Sequence, residues 1–278
     1  MHFPVVFHVL GLDLPAHMVF ETLAYGIGFR LYLWARKATR DDFSDGARMT
    51  VLIGAVVGAA VGSKLLAFAE HPQLWAPALR NPAYVIAAQT ILGAILGGII
   101  GVETVKKAAG ITRSTGDIYV FPLLAAIIIG RIGCALTGVS DGTWGDATTL
   151  PIGFDAGDGV IRHPTPLYEI AFLLALGGGL WWARRRPLHE GDLFKLFVLG
   201  YCAWRFIIEF LKPVTTYSFS NHLNIVQNIA TDTALKAVPG LSVLQLAALC
   251  AVVYYAGWFG WRQGGQAIWR RATTSSSN

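Results

Sequence analysis

Long apolar runs constrain this chain more than any other feature, because a helix of about 20 apolar residues spans the hydrocarbon core of a bilayer. Seven segments reach or approach that length, although charged residues interrupt the fifth and the sixth. The segments are residues 17–37, 49–69, 84–105, 118–136, 166–183, 193–211 and 241–261. We therefore predict an all-α, polytopic membrane protein of about seven transmembrane helices.

Composition supports the membrane class and argues against others. Hydrophobic residues make up 54% of the chain and charged residues only 14%, which is too apolar for an ordinary soluble domain. The net charge of +5 arises from short basic clusters between apolar runs, so we predict no nucleic-acid partner. Cys134, Cys202 and Cys250 show no CxxC spacing, so we expect neither a metal nor another cofactor.

The distribution of Lys and Arg predicts the orientation in the membrane. One set of alternate loops carries thirteen of these residues, and the opposite set carries four. Because basic loops stay in the cytoplasm, the N-terminus is predicted outside and the C-terminus inside. Residues 1–278 are expected to form a single membrane domain, in which loops 137–165 and 212–240 build a small cap on the outer, periplasmic face.

Glycines recur at four-residue spacing in the second and third segments. Gly54 and Gly58 form one such pair, and Gly93, Gly97 and Gly101 form two more. Small residues at this spacing let two membrane helices approach closely. We predict that these glycines lie at tight contacts with neighbouring helices.

Ionisable residues within the apolar segments are candidate functional residues, because burying them in a membrane is unfavourable. Arg30 and Lys64 are long enough to reach an interface. Arg205 and Glu209 lie one helical turn apart and are predicted to form an ion pair. The full set is Glu21, Arg30, Lys64, Arg131, Glu169, Arg205 and Glu209.

Arg131 is the strongest candidate for binding an anionic ligand, since it follows a long apolar run. Gly130 and Gly133 are expected to leave space beside its guanidinium, which can donate two parallel hydrogen bonds to a phosphodiester. A structural ion pair between Arg131 and Glu169 is the competing interpretation. We predict a lipid head-group site that opens to the outer face.

Several motifs resemble those of the bacterial prolipoprotein diacylglyceryl transferases in order and spacing. They are GRIG at 130–133, HPTPLYE at 163–169, RFIIEFLKP at 205–213 and LSVLQ at 241–245, while LGGIIGV at 96–102 is similar to the family's HGGLIGV. The resemblance covers most of the chain from the third segment onward. It implies transfer of a diacylglyceryl group from phosphatidylglycerol to the lipobox cysteine of a prolipoprotein, with release of glycerol phosphate, in the bacterial inner membrane.

The resemblance also implies which side chains form the site. Cations are needed there to stabilise the departing phosphate. The implied catalytic residues are Arg131, Glu169, Arg205 and Glu209. The implied substrate-binding residues are Arg131, His163, Tyr168, Lys212, Gly130 and Gly133.

The chain departs from the family pattern at positions that bear on the chemistry. Leu96 replaces the histidine that is proposed to support the acceptor thiol, Cys134 replaces an asparagine, and Lys212 stands where the family has a second arginine. Two alternatives therefore stay open: an altered or inactive paralogue that binds phospholipid, and a transferase with a different acceptor. A transporter is disfavoured because no repeat symmetry and no run of polar pore positions is visible.

Overall fold

The computed structural model describes residues 3–39, 44–212, 236–238 and 241–275, and most of these residues are helical. The helices are α1 (Ala16–Ala38), α2 (Asp45–Glu70), α3 (Trp75–Arg80), α4 (Ala83–Ala87), α5 (Ile91–Ala108), α6 (Val120–Thr137), α7 (Thr165–Ala183), α8 (Asp192–Ile208) and α9 (Val243–Ser275). Antiparallel pairs are formed by the short strands β1 (Val6–Val9) with β2 (Leu12–Pro15), β3 (Phe154–Asp155) with β4 (Ile161–Arg162), and β5 (Lys236–Val238) with β6 (Leu241–Ser242).

Within the described residues, four helical segments are long and apolar enough to cross a membrane. They are Asp45–Glu70, Asp117–Asp141, Thr165–Ala183 and Val243–Arg262. Large apolar side chains are exposed on these segments, such as Val56, Val61 and Leu174. An apolar surface of this kind is unfavourable in water but is compatible with lipid. The chain is therefore a helical membrane protein.

The third predicted segment, residues 84–105, is wrong as one continuous helix. Helix α4 ends at Ala87 and α5 begins at Ile91. At the break, the Thr90 hydroxyl accepts a hydrogen bond from the Gly93 amide at 3.1 Å, and the Thr90 amide donates to Ser63 Oγ of α2 at 3.0 Å. Since these side chains satisfy backbone groups at the helix end, the chain can turn here.

The tight helix packing predicted from these glycines is confirmed, and the two glycine-rich helices prove to be each other's partners. Helix α2 packs along α5, and a Cβ atom added to Gly58 would collide with the carbonyl oxygen of Gly97. A Cβ added to Gly97 would likewise collide with the carbonyl oxygen of Gly58, and one on Gly101 with that of Gly54. The two backbones touch, so any side chain at these positions would separate the helices.

We expect Gly97→Ala to lower the free energy of unfolding by about 1–3 kcal/mol, because the added methyl group overpacks a backbone contact that cannot rotate away. Thermal unfolding of the purified protein in detergent measures this loss. Gly26→Ala in α1 is the matched control, since a Cβ there meets nothing within 4 Å. Equal unfolding temperatures for the two variants would contradict the packing role of Gly97.

One end of the bundle, at which α6 and α8 end and α7 begins, lies under a layer of turns and short strands. We call this end the covered end and the layer the covering layer. The Asp146 amide donates to the Leu211 carbonyl after α8 at 2.8 Å, and the Val5 amide donates to the Leu136 carbonyl of α6 at 3.0 Å. The predicted loop 137–165 lies in this layer as a helical turn followed by the β3–β4 hairpin. Most of the second predicted loop, 212–240, lies outside the described residues.

Candidate functional site

Four of the predicted ionisable side chains meet at the covered end of the bundle. Arg131 lies near the end of α6, Glu169 lies in the second turn of α7, Arg205 lies in the last turn of α8, and Glu209 follows in a short helical turn. Because α6 and α8 run toward the covered end and α7 starts from it, residues distant in sequence become neighbours. We call these four residues, with Lys212, the ionic cluster.

Glu169 lies at the centre of the ionic cluster. Its Oε2 atom is 2.9 Å from Arg131 Nε and 3.7 Å from Arg205 Nη1. The Tyr201 hydroxyl donates a hydrogen bond to its Oε1 atom at 3.1 Å. The ion pair of the competing interpretation is thus present, but Glu169 divides its charge between two guanidinium groups.

Arg205 also pairs with Glu209, as the four-residue spacing predicts. Arg205 Nη2 donates to Glu209 Oε2 at 2.8 Å, which confirms the predicted ion pair. Arg205 Nη1 is buried and has no hydrogen-bond acceptor among the residues that the structure describes. That nitrogen keeps a donor available for a ligand.

Within the ionic cluster as defined, the three cations Arg131, Arg205 and Lys212 outnumber the two carboxylates, so its five side chains carry one positive charge in excess. Arg131 and Arg205 are 6% and 7% exposed, so solvent screens them little. Burial and the neighbouring Arg205 guanidinium lower the pKa of Lys212 to about 8, which leaves it mostly charged at neutral pH. An uncompensated buried charge is unfavourable, and a phosphodiester with its single negative charge would balance it.

The two glycines beside Arg131 differ in their surroundings. A Cβ atom on Gly130 would meet nothing within 4 Å, which leaves open space there. A Cβ atom on Gly133 would lie 2.9 Å from Phe20 Cβ and 3.3 Å from His17 Cα, because α1 packs against α6 at this point. The expectation of free space is wrong for Gly133, which serves helix packing instead.

His163 and Tyr168 lie next to each other where the covering layer joins α7. His163 Nδ1 is 3.3 Å from the Tyr168 hydroxyl. The main chain of His163 is held by the Asp146 carbonyl, which accepts from its amide at 3.0 Å, and by the Gly145 amide, which donates to its carbonyl at 2.9 Å. These bonds fix the position of His163, while substrate binding by the two side chains stays a prediction.

The structure also assembles a group of residues that the sequence analysis did not predict. His17 Nδ1 lies 2.9 Å from Asp141 Oδ1, and Arg131 Nη1 contacts Cys134 Sγ at 3.7 Å. Nitrogen, sulfur and oxygen donor atoms of His17, Cys134 and Asp141 all lie within 4.8 Å of one another. Nothing in their sequence spacing indicates this group, because His17 lies in α1, Cys134 near the end of α6 and Asp141 in the turn that follows α6.

The fold and the ionic cluster define a helical membrane protein with a buried, positively charged site at one end of its bundle. Comparison with known proteins makes the assignment specific. The family model described as prolipoprotein diacylglyceryl transferase matches residues 4–259. The chain belongs to the prolipoprotein diacylglyceryl transferase family, and the match includes α1 and α2, which lie before the motifs.

Similar proteins from several bacteria carry one name, phosphatidylglycerol–prolipoprotein diacylglyceryl transferase. The protein from Idiomarina loihiensis is 30% identical over 226 residues, which cover 75% of this chain and 80% of the relative. Those from Bordetella bronchiseptica and Clostridium tetani are each 29% identical over 75% of this chain, covering 79% and 85% of the relative. The resemblance inferred from the motifs is confirmed.

Proposed function

We propose that this chain transfers the diacylglyceryl group of phosphatidylglycerol to the lipobox cysteine of prolipoproteins. Family membership and the names of the relatives support this activity. The observation that carries it is the ionic cluster, whose one excess positive charge matches a phosphodiester. The site thus suits a phospholipid donor.

The reaction is a nucleophilic substitution at the carbon of the diacylglyceryl group that is bonded to the phosphate oxygen. The cysteine thiol loses its proton to water, its sulfur forms a bond to this carbon, the carbon–oxygen bond breaks, and glycerol phosphate leaves with the electron pair. Its phosphate changes from a diester with one negative charge to a monoester that can carry two. Arg131 and Arg205 stabilise this growing charge, so they bind the transition state more tightly than the ground state.

Glu169 and Glu209 act as positioning residues in this proposal. Glu169 holds Arg131 and Arg205 by its Oε2 atom at 2.9 and 3.7 Å, and Glu209 holds Arg205 at 2.8 Å. Fixed guanidinium groups need little reorganisation when charge develops on the phosphate. The carboxylates therefore contribute by orienting the cations and not by direct contact with the lipid.

The proposed setting is the bacterial inner membrane. When helices α1, α5 and α8 are added to the four long apolar segments, the chain has about seven membrane spans. The covering layer forms the periplasmic cap on a single membrane domain, with the N-terminus periplasmic and the C-terminus cytoplasmic. The excess of Lys and Arg in the alternate loops supports this orientation.

A paralogue that binds phospholipid without turnover is the second candidate function. Leu96 favours it, because this side chain packs against the apolar core of the bundle at the position of the family's histidine. A leucine cannot accept a proton from the acceptor thiol. A transferase for a different acceptor is the third possibility.

Lys212 makes the proposal testable through pH. We expect the KM for phosphatidylglycerol to rise between about pH 7 and 9, because the Lys212 ammonium, with its pKa of about 8, loses its charge in that interval. Lys212→Arg should flatten the profile, since a guanidinium stays protonated. The comparison uses KM alone, because kcat also follows ionisation of the acceptor thiol. Parallel profiles for the two proteins would contradict a role of Lys212 in lipid binding.

Complementation tests the activity in cells. In a bacterium depleted of its own transferase, the wild-type chain should restore growth and lipid-modified lipoproteins. Arg80→Lys should do the same, because Arg80 is exposed and lies outside the ionic cluster. Absence of growth and of modified lipoprotein, with folded chain present in the membrane, would contradict the proposal and favour the phospholipid-binding paralogue.

A further inference from the structure

His17, Cys134 and Asp141 form a compact group of metal-binding side chains beside the ionic cluster. His17 lies in the first turn of α1, Cys134 near the end of α6, and Asp141 in the turn that follows. The His17 and Asp141 side chains are 20% and 7% exposed, and Cys134 is 7% exposed. The group is thus largely shielded from solvent, as metal sites in proteins commonly are.

The donor atoms suit zinc, which takes imidazole nitrogen, thiolate sulfur and carboxylate oxygen in tetrahedral geometry. Zinc–ligand bonds of about 2.0–2.3 Å place tetrahedral donors about 3.3–3.7 Å apart. The three donors here lie within 4.8 Å of one another, and the His17–Asp141 separation is 2.9 Å. Zinc binding would bring the most distant of these donors about 1 Å closer together. Three protein ligands leave the fourth position open, as in catalytic zinc sites.

The charges of a zinc ion and of these three ligands also balance. A Cys134 thiolate and an Asp141 carboxylate together neutralise the two positive charges of zinc. The adjacent Arg131 guanidinium, 3.7 Å from Cys134 Sγ, contacts Glu169 at 2.9 Å and is already counted in the ionic cluster. Metal binding therefore adds no uncompensated charge to this part of the bundle.

We propose that His17, Cys134 and Asp141 bind a zinc ion that receives the thiol of the acceptor cysteine at its open position. The role toward the acceptor rests on the proposed transferase function, whereas zinc binding itself does not. A thiol that coordinates zinc loses its proton, which passes to water. The bound sulfur then attacks the glycerol carbon, and the carbon–oxygen bond to phosphate breaks as described above.

The position of Arg131 links the two sites. Its Nη1 atom contacts Cys134, and its Nε atom contacts Glu169 in the ionic cluster. A thiolate on the zinc ion and a phosphodiester on the arginines would thus be neighbours, which the substitution reaction requires. The zinc site takes over the support of the thiol that Leu96 cannot provide.

Zinc content and cobalt spectroscopy test the site without an activity assay. The full-length chain, purified in detergent through a tag free of His and Cys, is expected to retain a single zinc ion after dialysis. With Co²⁺ in its place, a thiolate-to-cobalt charge-transfer band should appear. Cys134→Ala should lose the zinc and the band, and Asp141→Asn should lose the zinc. The matched control Cys202→Ala should keep both, because Cys202 lies in α8 within the apolar core.

The outcomes separate the zinc site from the transferase function. Folded wild-type protein that binds neither Zn²⁺ nor Co²⁺ would overturn the site, and so would equal binding by Cys134→Ala. A chain that binds zinc through Cys134 but transfers no lipid would overturn the proposed function and leave the site standing. Full transfer by the chelator-treated, metal-free chain would overturn the role in thiol activation and leave the function standing.

Discussion

Arg131→Lys is expected to reduce kcat/KM for diacylglyceryl transfer by at least about 100-fold while the protein stays folded. Lysine keeps the charge that pairs with Glu169 but loses the planar fork that contacts both this carboxylate and a phosphodiester. The Arg131 side chain is 7% exposed, so water cannot replace the lost donors. Initial rates with phosphatidylglycerol and a lipobox peptide measure the loss, and thermal unfolding reports on the fold.

Arg80→Lys is the matched control for the change of an arginine to a lysine, because Arg80 is exposed at the end of α3. It should leave the rate unchanged. Full activity of Arg131→Lys would show that the guanidinium does not serve the phosphate. The lipid site would then have to lie elsewhere.

Glu169→Gln is expected to lower the free energy of unfolding by about 3–5 kcal/mol, because it removes the carboxylate that two buried guanidinium groups share. Glu169 is 1% exposed and also accepts the hydrogen bond of Tyr201, so no solvent compensates for its charge. The unfolding temperature and the yield of folded protein measure the effect. The loss of unfolding free energy for Glu169→Gln should be larger than that for any single substitution outside the bundle core.

Asp158→Asn provides the control for losing an ion pair. Asp158 pairs with Arg162 at 2.7 Å in the covering layer, where solvent screens both charges. Loss of this ion pair should lower the free energy of unfolding by about 0–1 kcal/mol. Similar destabilisation by Glu169→Gln and Asp158→Asn would contradict the central position of Glu169.

Together, Arg131→Lys and Glu169→Gln distinguish a role of Arg131 in ligand binding from a purely structural role. If Arg131 binds phosphate, Arg131→Lys loses turnover and keeps the fold, whereas Glu169→Gln loses stability. If both variants unfold alike, the ion pair of Arg131 and Glu169 is structural. The competing interpretation would then be correct.

Apolar run length and glycine spacing predict much of the fold. They predict the main helices and the tight packing at the glycines, because burial of an apolar stripe and close backbone approach depend on local sequence. They do not predict that α2 and α5 are the two partners, which depends on the whole fold. They miss the break at residues 88–90, since it depends on a hydrogen bond from the Thr90 amide to Ser63 on another helix. The β1–β2 hairpin that precedes α1 is also not predicted.

The site is predictable where its residues are close in sequence or lie in family motifs. The ion pair of Arg205 with Glu209 follows from four-residue spacing, and Arg131 stands out through its apolar surroundings. Tyr201 gives no such signal, because an aromatic residue in a membrane helix is unremarkable until the fold brings it to a carboxylate. The group of His17 and Cys134 with Asp141 likewise exists only once α1 packs against α6.

Mass spectrometry of the acceptor peptide in a reconstituted reaction tests the transferase function most directly. Purified chain in phosphatidylglycerol vesicles is incubated with a peptide that carries a lipobox cysteine, and a peptide with serine in its place is the control. We predict that the cysteine peptide gains the mass of a diacylglyceryl group, that glycerol phosphate is released in equal amount, and that the serine peptide is unchanged. An unmodified cysteine peptide with intact phospholipid, in the presence of folded protein, would contradict the function proposed for this chain.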